Sequence, residues 1–185
     1  MIALLIIIAI PVVLALAIVG WAIATYNSFV GLRELVRNAM GQIAAQIESR
    51  WDAISSLINA ARQYAEFESS TLTKITAQRR PLTTQSSVND ATADDANFAT
   101  VLSGINALAE NYPELKTSEV YINAMNAVRE FENNVRSARM IYNDSATKLN
   151  RKVLSFPAMI IAKIFGFHEE AYFQNTASKA EMPSW

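Results

Sequence analysis

Apolar residues run almost unbroken from Ile2 to Ala24, and no charged residue precedes Arg33. At about 1.5 Å per helical residue that run spans roughly 34 Å, enough to cross a hydrocarbon core of roughly 30 Å. The pattern predicts a transmembrane anchor over residues 1–25, with Ile2, Ile10 and Val19 along its apolar body, Pro11 as a local kink at mid-span and Trp21 marking the interface. Ala22-Ile23-Ala24 has the small-x-small spacing of a signal-peptide cleavage site. A cleavable signal, however, carries a charged leader and a shorter apolar core, so the expectation is an uncleaved anchor.

Past Tyr26 the apolar positions fall into steps of three and four: Phe29, Leu32, Val36, Met40, Ile43, Ile47, Trp51, Ile54, Ile58, Ala61, Ala65, Leu72 and Ile75. A seam kept up this long, with Gln42, Gln46, Glu48, Asn59, Arg62 and Gln63 off it, predicts a first bundle helix over residues 26–80, roughly 80 Å long, with coiled-coil-like packing. No proline falls between Pro11 and Pro81, so anchor and helix are expected to form one rod, with Gly20, Gly31 and Gly41 its weakest points. Gly20 and Ala24 form a single small-x-x-x-small pair, too little to predict anchor pairing.

From Pro81 the rhythm stops in a stretch rich in Thr, Ser, Gln and Asn, which predicts a linker over residues 81–93. Asp94 and Asp95 are expected to cap a second helix with Phe98, Val101, Leu102, Ile105 and Leu108 on one face. As metal ligands they lack oxygen-rich neighbours at loop spacing. The second helix should stop near Asn111, ahead of Pro113. Thr117 or Ser118 then caps a third helix whose apolar line is Tyr121, Met125, Val128, Phe131, Val135, Ala138, Tyr142, Ala146, Leu149 and Val153. Its charged residues Arg129, Glu130, Glu132, Arg136 and Arg139 read as a solvated face. After Pro157 a short apolar helix follows, ended by Gly166 as a left-handed cap. It is too short to span a bilayer and has three possible uses: plugging the bundle, lying in the membrane interface, or docking on another subunit. The residues that would carry an interface are Phe156, Met159, Ile160, Ile161, Phe165 and Phe167. If the linker carries the chain back toward the membrane, the second helix ascends, the third descends, and this helix returns to the base.

Composition narrows the function. All 16 basic and 17 acidic residues lie beyond the anchor and the formal charge is −1, so no basic field invites nucleic acid. There is no cysteine, which excludes disulfides, thiolate metal sites and cysteine nucleophiles. His168 is the single histidine, in a turn beside Glu169 and Glu170, and no phosphate loop or H-E-x-x-H motif is present. Glu66 and Glu68 are two apart and diverge around a helix. No catalytic, cofactor-binding or metal-ligating residues are assigned. Asn143-Asp144-Ser145 fits an N-glycosylation pattern but lies within a helix. Arg33 and Arg37, offset by Glu34, give a thin positive-inside bias that puts the N-terminus outside and the domain in the cytoplasm.

Glu110-Asn111-Tyr112-Pro113-Glu114-Leu115-Lys116, Tyr142-Asn143, Asn150, Ser155-Phe156-Pro157, Phe165-Gly166-Phe167 and Tyr172-Phe173 closely resemble the C-terminal signature of bacterial LemA family proteins. Tyr26-Asn27, Val36, Gln42, Gln46, Arg50, Asp52, Ile54, Leu57, Tyr64, Glu68, Leu72 and Arg79 resemble that family's first helix. The resemblance covers almost the whole chain. It implies a short outer N-terminus, one transmembrane helix and an all-α bundle of undefined biochemical activity, in the bacterial inner membrane. One branch of the family serves in magnetosome formation, and this chain lacks the extended N-terminal region and glycine-rich insertion associated with that branch. Ser55-Ser56 stands where the family commonly has Pro-Asn, and Trp51 where tyrosine is usual, so the first helix should be straighter here.

The fold expected is all-α: an N-terminal transmembrane helix continuing into an elongated antiparallel three-helix bundle, with a short apolar C-terminal helix, residues 26–185 forming one domain. The leading functional expectation is a non-enzymatic membrane-anchored scaffold that contacts membrane lipid, self-associates into a homo-oligomer, and engages membrane or cytoplasmic protein partners. Its seam is expected to exceed what a shorter second helix can cover. A membrane-remodelling or lipid-interface protein that uses the C-terminal helix is the alternative, and an enzyme or enzyme activator that depends on His168 is the third class.

Overall fold

Residues 2–62, 76 and 81–174 are described by the structure, a computed structural model. Helix α1, Ile2–Ala61, is a single element of 60 residues, roughly 90 Å long. It passes through Pro11 and through Ser55-Ser56 without a break, so the anchor and the main bundle helix are one rod. Ile10, Pro11 and Val19 are exposed, and among the described residues this is the one helix long and apolar enough to cross a membrane, with a mean hydropathy of 2.1 near its N-terminus. From Phe29 the seam turns inward: Phe29, Val36, Met40, Ile43, Ile47, Trp51, Ile54, Ile58 and Ala61 are all buried. Ala65, Leu72 and Ile75, and the rest of the helix expected to residue 80, lie outside the described residues.

Thr84 brings the chain back to the level of Gly41, where a Cβ would stand 2.9 Å from the Thr84 side-chain methyl. That close approach is what glycine permits at this position. Helix α2, Val88–Asn111, starts six residues earlier than expected. Its N-cap is Ser87, whose hydroxyl accepts from the Asp90 N–H while the Asp90 carboxylate accepts from the Ser87 N–H, a reciprocal capping box. Asp94 and Asp95 are therefore interior to the helix, and the linker ends at Ser87. Asn111 closes α2 as expected, and Pro113 opens the one-turn helix α3, Pro113–Thr117. Ser118 then caps α4, Glu119–Leu154, accepting from the Tyr121 N–H.

Helix α4 descends against α1, since Arg50 meets Glu132 and the Lys152 ammonium meets Phe29. Of its predicted line, Val128, Val135, Ala138, Tyr142, Ala146 and Leu149 are buried, whereas Phe131 is only half-buried. Helix α2 packs high on the pair, with Phe98 edge-on to Trp51. Below the start of α2 the third member of the bundle is not a helix. Helix α5, Ala158–Phe165, closes the base, and residues 167–173 climb back along α4 as an extended strap. All regular elements among the described residues are helical.

Candidate functional site

At the membrane-proximal end, the chain leaves α4 through the Ser155 cap and enters α5 after Pro157. Gly166 ends α5 with φ 69°, and the Phe167 N–H donates to the Ala162 carbonyl at 2.9 Å, a Schellman-type stop that reverses the chain. Phe167 then stacks on Phe29 with centroids 4.8 Å apart, and Tyr26 meets Phe165 and Phe167 edge-on at 4.8 and 5.7 Å. The Arg33 guanidinium lies 5.1 Å from the Phe167 ring centre and the Lys152 ammonium 5.3 Å from that of Phe29. Helix α5 packs against both α1 and α4.

This arrangement divides the residues expected at an interface. Ile161 and Phe167 are buried in the bundle and Met159 is half-buried, whereas Phe156, Ile160 and Phe165 are exposed. Ile161 and Phe167 are therefore core residues, Phe167 through its stack on Phe29 of α1. Leu154 and Ile164, which the sequence reading left out of the set, are exposed at 62% and 67% beside Phe156 at 79%. Their i, i+4 spacing puts Ile160 and Ile164 on one face, and that spacing is the signal that could have found Ile164.

The strap is held by two asparagines seven residues apart on α4. Asn150 donates to the Glu170 carbonyl at 2.9 Å and accepts from the Glu170 N–H at 2.8 Å. Asn143 does the same with Phe173, at 2.9 Å each way. Each carboxamide thus stands in for a strand partner, satisfying both backbone groups of one strap residue. The Asn143 nitrogen that a glycosylation reading requires is engaged here. Phe173 packs edge-on to Tyr142 at 5.1 Å, under the Arg139 guanidinium.

Where the strap meets α2, charges concentrate. Arg50, 3% exposed, donates to Glu132 and Asp95 at 3.1 Å each and to Asp94 at 3.4 Å, and its guanidinium lies 3.9 Å from the Phe98 ring centre. Asp94 also accepts from the Trp51 indole at 2.9 Å, and Arg139 pairs with Asp95. The aspartates expected as a helix cap thus join α1, α2 and α4. Trp51 does what a tyrosine cannot do in the same way, offering an indole N–H as donor only.

Nearer the membrane end a cleft of about 310 Å³ is lined by Val36, Arg37, Met40, Thr84, Tyr142 and Glu170 among others. Burial, and then the nearby charge of Glu170, push the Tyr142 hydroxyl up to about 12. Among the described residues no group of three metal-capable side chains occurs, and His168 is exposed in the turn after Gly166.

The LemA family model matches residues 39–184, which include the arginine cluster, α5 and the strap. The chain belongs to the LemA family. Magnetosome protein MamQ 2 of Paramagnetospirillum magneticum is 23% identical over 191 aligned positions, covering 89% of this chain and 70% of the relative. MamQ of Magnetospirillum gryphiswaldense is 22% identical over the same extent. Protein LemA of Metamycoplasma hominis is 25% identical over 140 positions, 75% of this chain and 64% of that protein. None of these names denotes an enzyme. The LemA match begins at Ala39, so the anchor and the Tyr26–Phe29 level lie outside it. Together the exposed apolar helix and the relatives mark this LemA protein as membrane-associated.

Proposed function

We propose that this LemA family protein is a non-enzymatic scaffold of the bacterial cytoplasmic membrane that presents a rigid helical rod to membrane or cytoplasmic protein partners. The observation that supports it is continuity: α1 carries the apolar span and the main bundle seam in one unbroken helix, so the bundle cannot swing freely about its anchor. A swivelling tether would serve a diffusing catalytic domain, whereas a rod rooted in the bilayer fixes height and direction. On the charge bias of Arg33 and Arg37 the N-terminus is outside and the bundle cytoplasmic. Self-association belongs to the same reading. Up to Ala61 the seam is covered within one chain, so any surplus would come from the apolar spacing that continues at Ala65, Leu72 and Ile75.

The test is crosslinking and affinity capture of the full chain from native membranes, with protease added from either side. The expected result is a reproducible protein partner and a C-terminus cut only from the cytoplasmic face. Cutting from the outer face would reverse the topology, and a catalytic activity lost in His168→Ala would replace the scaffold with an enzyme. Light scattering in nanodiscs that found only monomers at micromolar concentration would remove self-association.

A further inference from the structure

We infer that the exposed face of α5, with Leu154 and Phe156 before it, is a second membrane contact that lies in the headgroup and upper acyl region of the bilayer leaflet from which the bundle emerges. Three observations converge on lipid as the occupant. First, level: Phe165 packs against Tyr26, two residues beyond the end of the apolar run at Ala24. Thr25 is buried and Ala22 packs on the core at the very end of the span, where α4 has already ended and α5 packs on α1. Second, direction: the Lys152 ammonium near the end of α4 and the Phe167 ring just after α5 both meet Phe29, so the chain that contains α5 leaves and returns to one level of the rod. A helix about 12 Å long inside that turn-back stays at the membrane end of the rod and does not climb the bundle.

Third, chemistry: Ile160, Ile164 and Phe165 are exposed apolar residues, and Phe165 meets Tyr26 just past the exposed apolar residues Ile18, Val19, Trp21 and Ile23 of the span. Lys163 is exposed among them, and Arg33, Arg151 and Lys152 stand at the same end of the bundle, where they can reach lipid phosphates while their stems stay apolar. In water, such a face would be an uncovered apolar patch adjoining the one already committed to the bilayer. In the interface, it is covered by the solvent that the neighbouring span requires. This contact adds to the scaffold reading and stands or falls separately from it, because it concerns where α5 sits and not which proteins the rod engages.

The chain has no cysteine, so single sites can be labelled cleanly. The full chain is reconstituted into phosphatidylglycerol-containing vesicles with a fluorophore at Ile164→Cys, at Ile18→Cys as a span reference, and at Met140→Cys as an exposed apolar reference on the bundle side. Lipid-attached nitroxides and aqueous iodide are the two quenchers. The expected result is lipid quenching at position 164 within about twofold of that at position 18, and iodide quenching several-fold below that at position 140. Labels at 164 and 140 that behave alike would overturn the inference. So would a label at 164 shielded from both quenchers, because that would mean protein covers the face. Because all three labelled positions are exposed, circular dichroism matching the parent chain certifies the fold, and Phe156→Cys repeats the measurement should position 164 fail that check.

Discussion

A guanidinium only 3% exposed has to find its hydrogen-bond partners inside the protein, and Arg50 finds them on two other helices, at Asp94 and Asp95 of α2 and Glu132 of α4. Removing one partner is costlier than the bond itself is worth, because the charge stays buried. Asp94→Ala also strips the Trp51 indole of a carboxylate acceptor, and with Asp95 and Glu132 still present the expected loss is about 3 kcal/mol, read by denaturant unfolding in detergent. A loss under about 1 kcal/mol would mean that the carboxylate is dispensable. The sequence did contain these aspartates, but capping and ion pairing ask for the same residue type. The choice between them rests on Arg50, 44 positions away in sequence, which no local pattern reveals. Tyr142 supplies a second residue-scale expectation. Its hydroxyl is pushed up from 10.0 to about 12 by burial and by Glu170. In the window between those values the unfolded chain has released the proton and the folded chain keeps it. Stability present below pH 10 is therefore lost as pH rises toward 12. Tyr142→Phe cannot titrate, so the difference between wild type and variant should shift against wild type across that window and stay level below it, in alkaline unfolding curves.

At the scale of elements, helix ends were legible wherever a residue with one dominant use marked them. Gly166 adopts the left-handed cap, Pro113 follows the end of α2, and Ser118 starts α4. The start of α2 was not, although Ser87 and Asp90 have the three-residue spacing of a capping box. A polar stretch that begins a helix and one that forms a linker have nearly the same composition. The strap was hidden for a different reason: it has no periodicity of its own and depends on Asn143 and Asn150, polar side chains on the inward side of α4, where a continuous apolar seam would need none. Two asparagines seven apart on one helix face are the signal. Asn150→Asp tests the clasp with almost no change of shape, because a carboxylate can still accept from the Glu170 N–H but has nothing to donate to the Glu170 carbonyl. The expected loss is about 1.5 kcal/mol, roughly tenfold in the opening of the strap, seen as faster chymotryptic cutting at Phe167, Tyr172 or Phe173. An unchanged cutting rate would show that Phe167 and Phe173 hold the strap by packing alone.

On the scale of the whole molecule, the rod is a lever whose fulcrum lies between Ala22 and Phe29. The bundle rises roughly 50 Å from Phe29 to Ala61, so a small change of angle at the base moves the upper end by many ångströms. Two features hold that angle: the unbroken helix, and the aromatic group in which Phe167 touches both Tyr26 on the span side and Phe29 on the bundle side. Inserting two glycines after Tyr26 attacks both at once. It softens the helix, since each glycine costs about 1 kcal/mol against alanine, and it turns the bundle by about 200° relative to the span, so Phe167 can no longer meet both rings. The bundle core above Phe29 contains none of the inserted residues and should keep its unfolding midpoint. The expected outcome is therefore a folded bundle with an undefined direction: energy transfer from a label at Met140→Cys to a lipid-surface dye should broaden into a wide distribution of distances, and partner capture should fall with it. A distribution as narrow as the parent's would mean that the span is a tether after all, and that the bundle is oriented by something other than the rod, with α5 resting on the bilayer the first candidate within this chain.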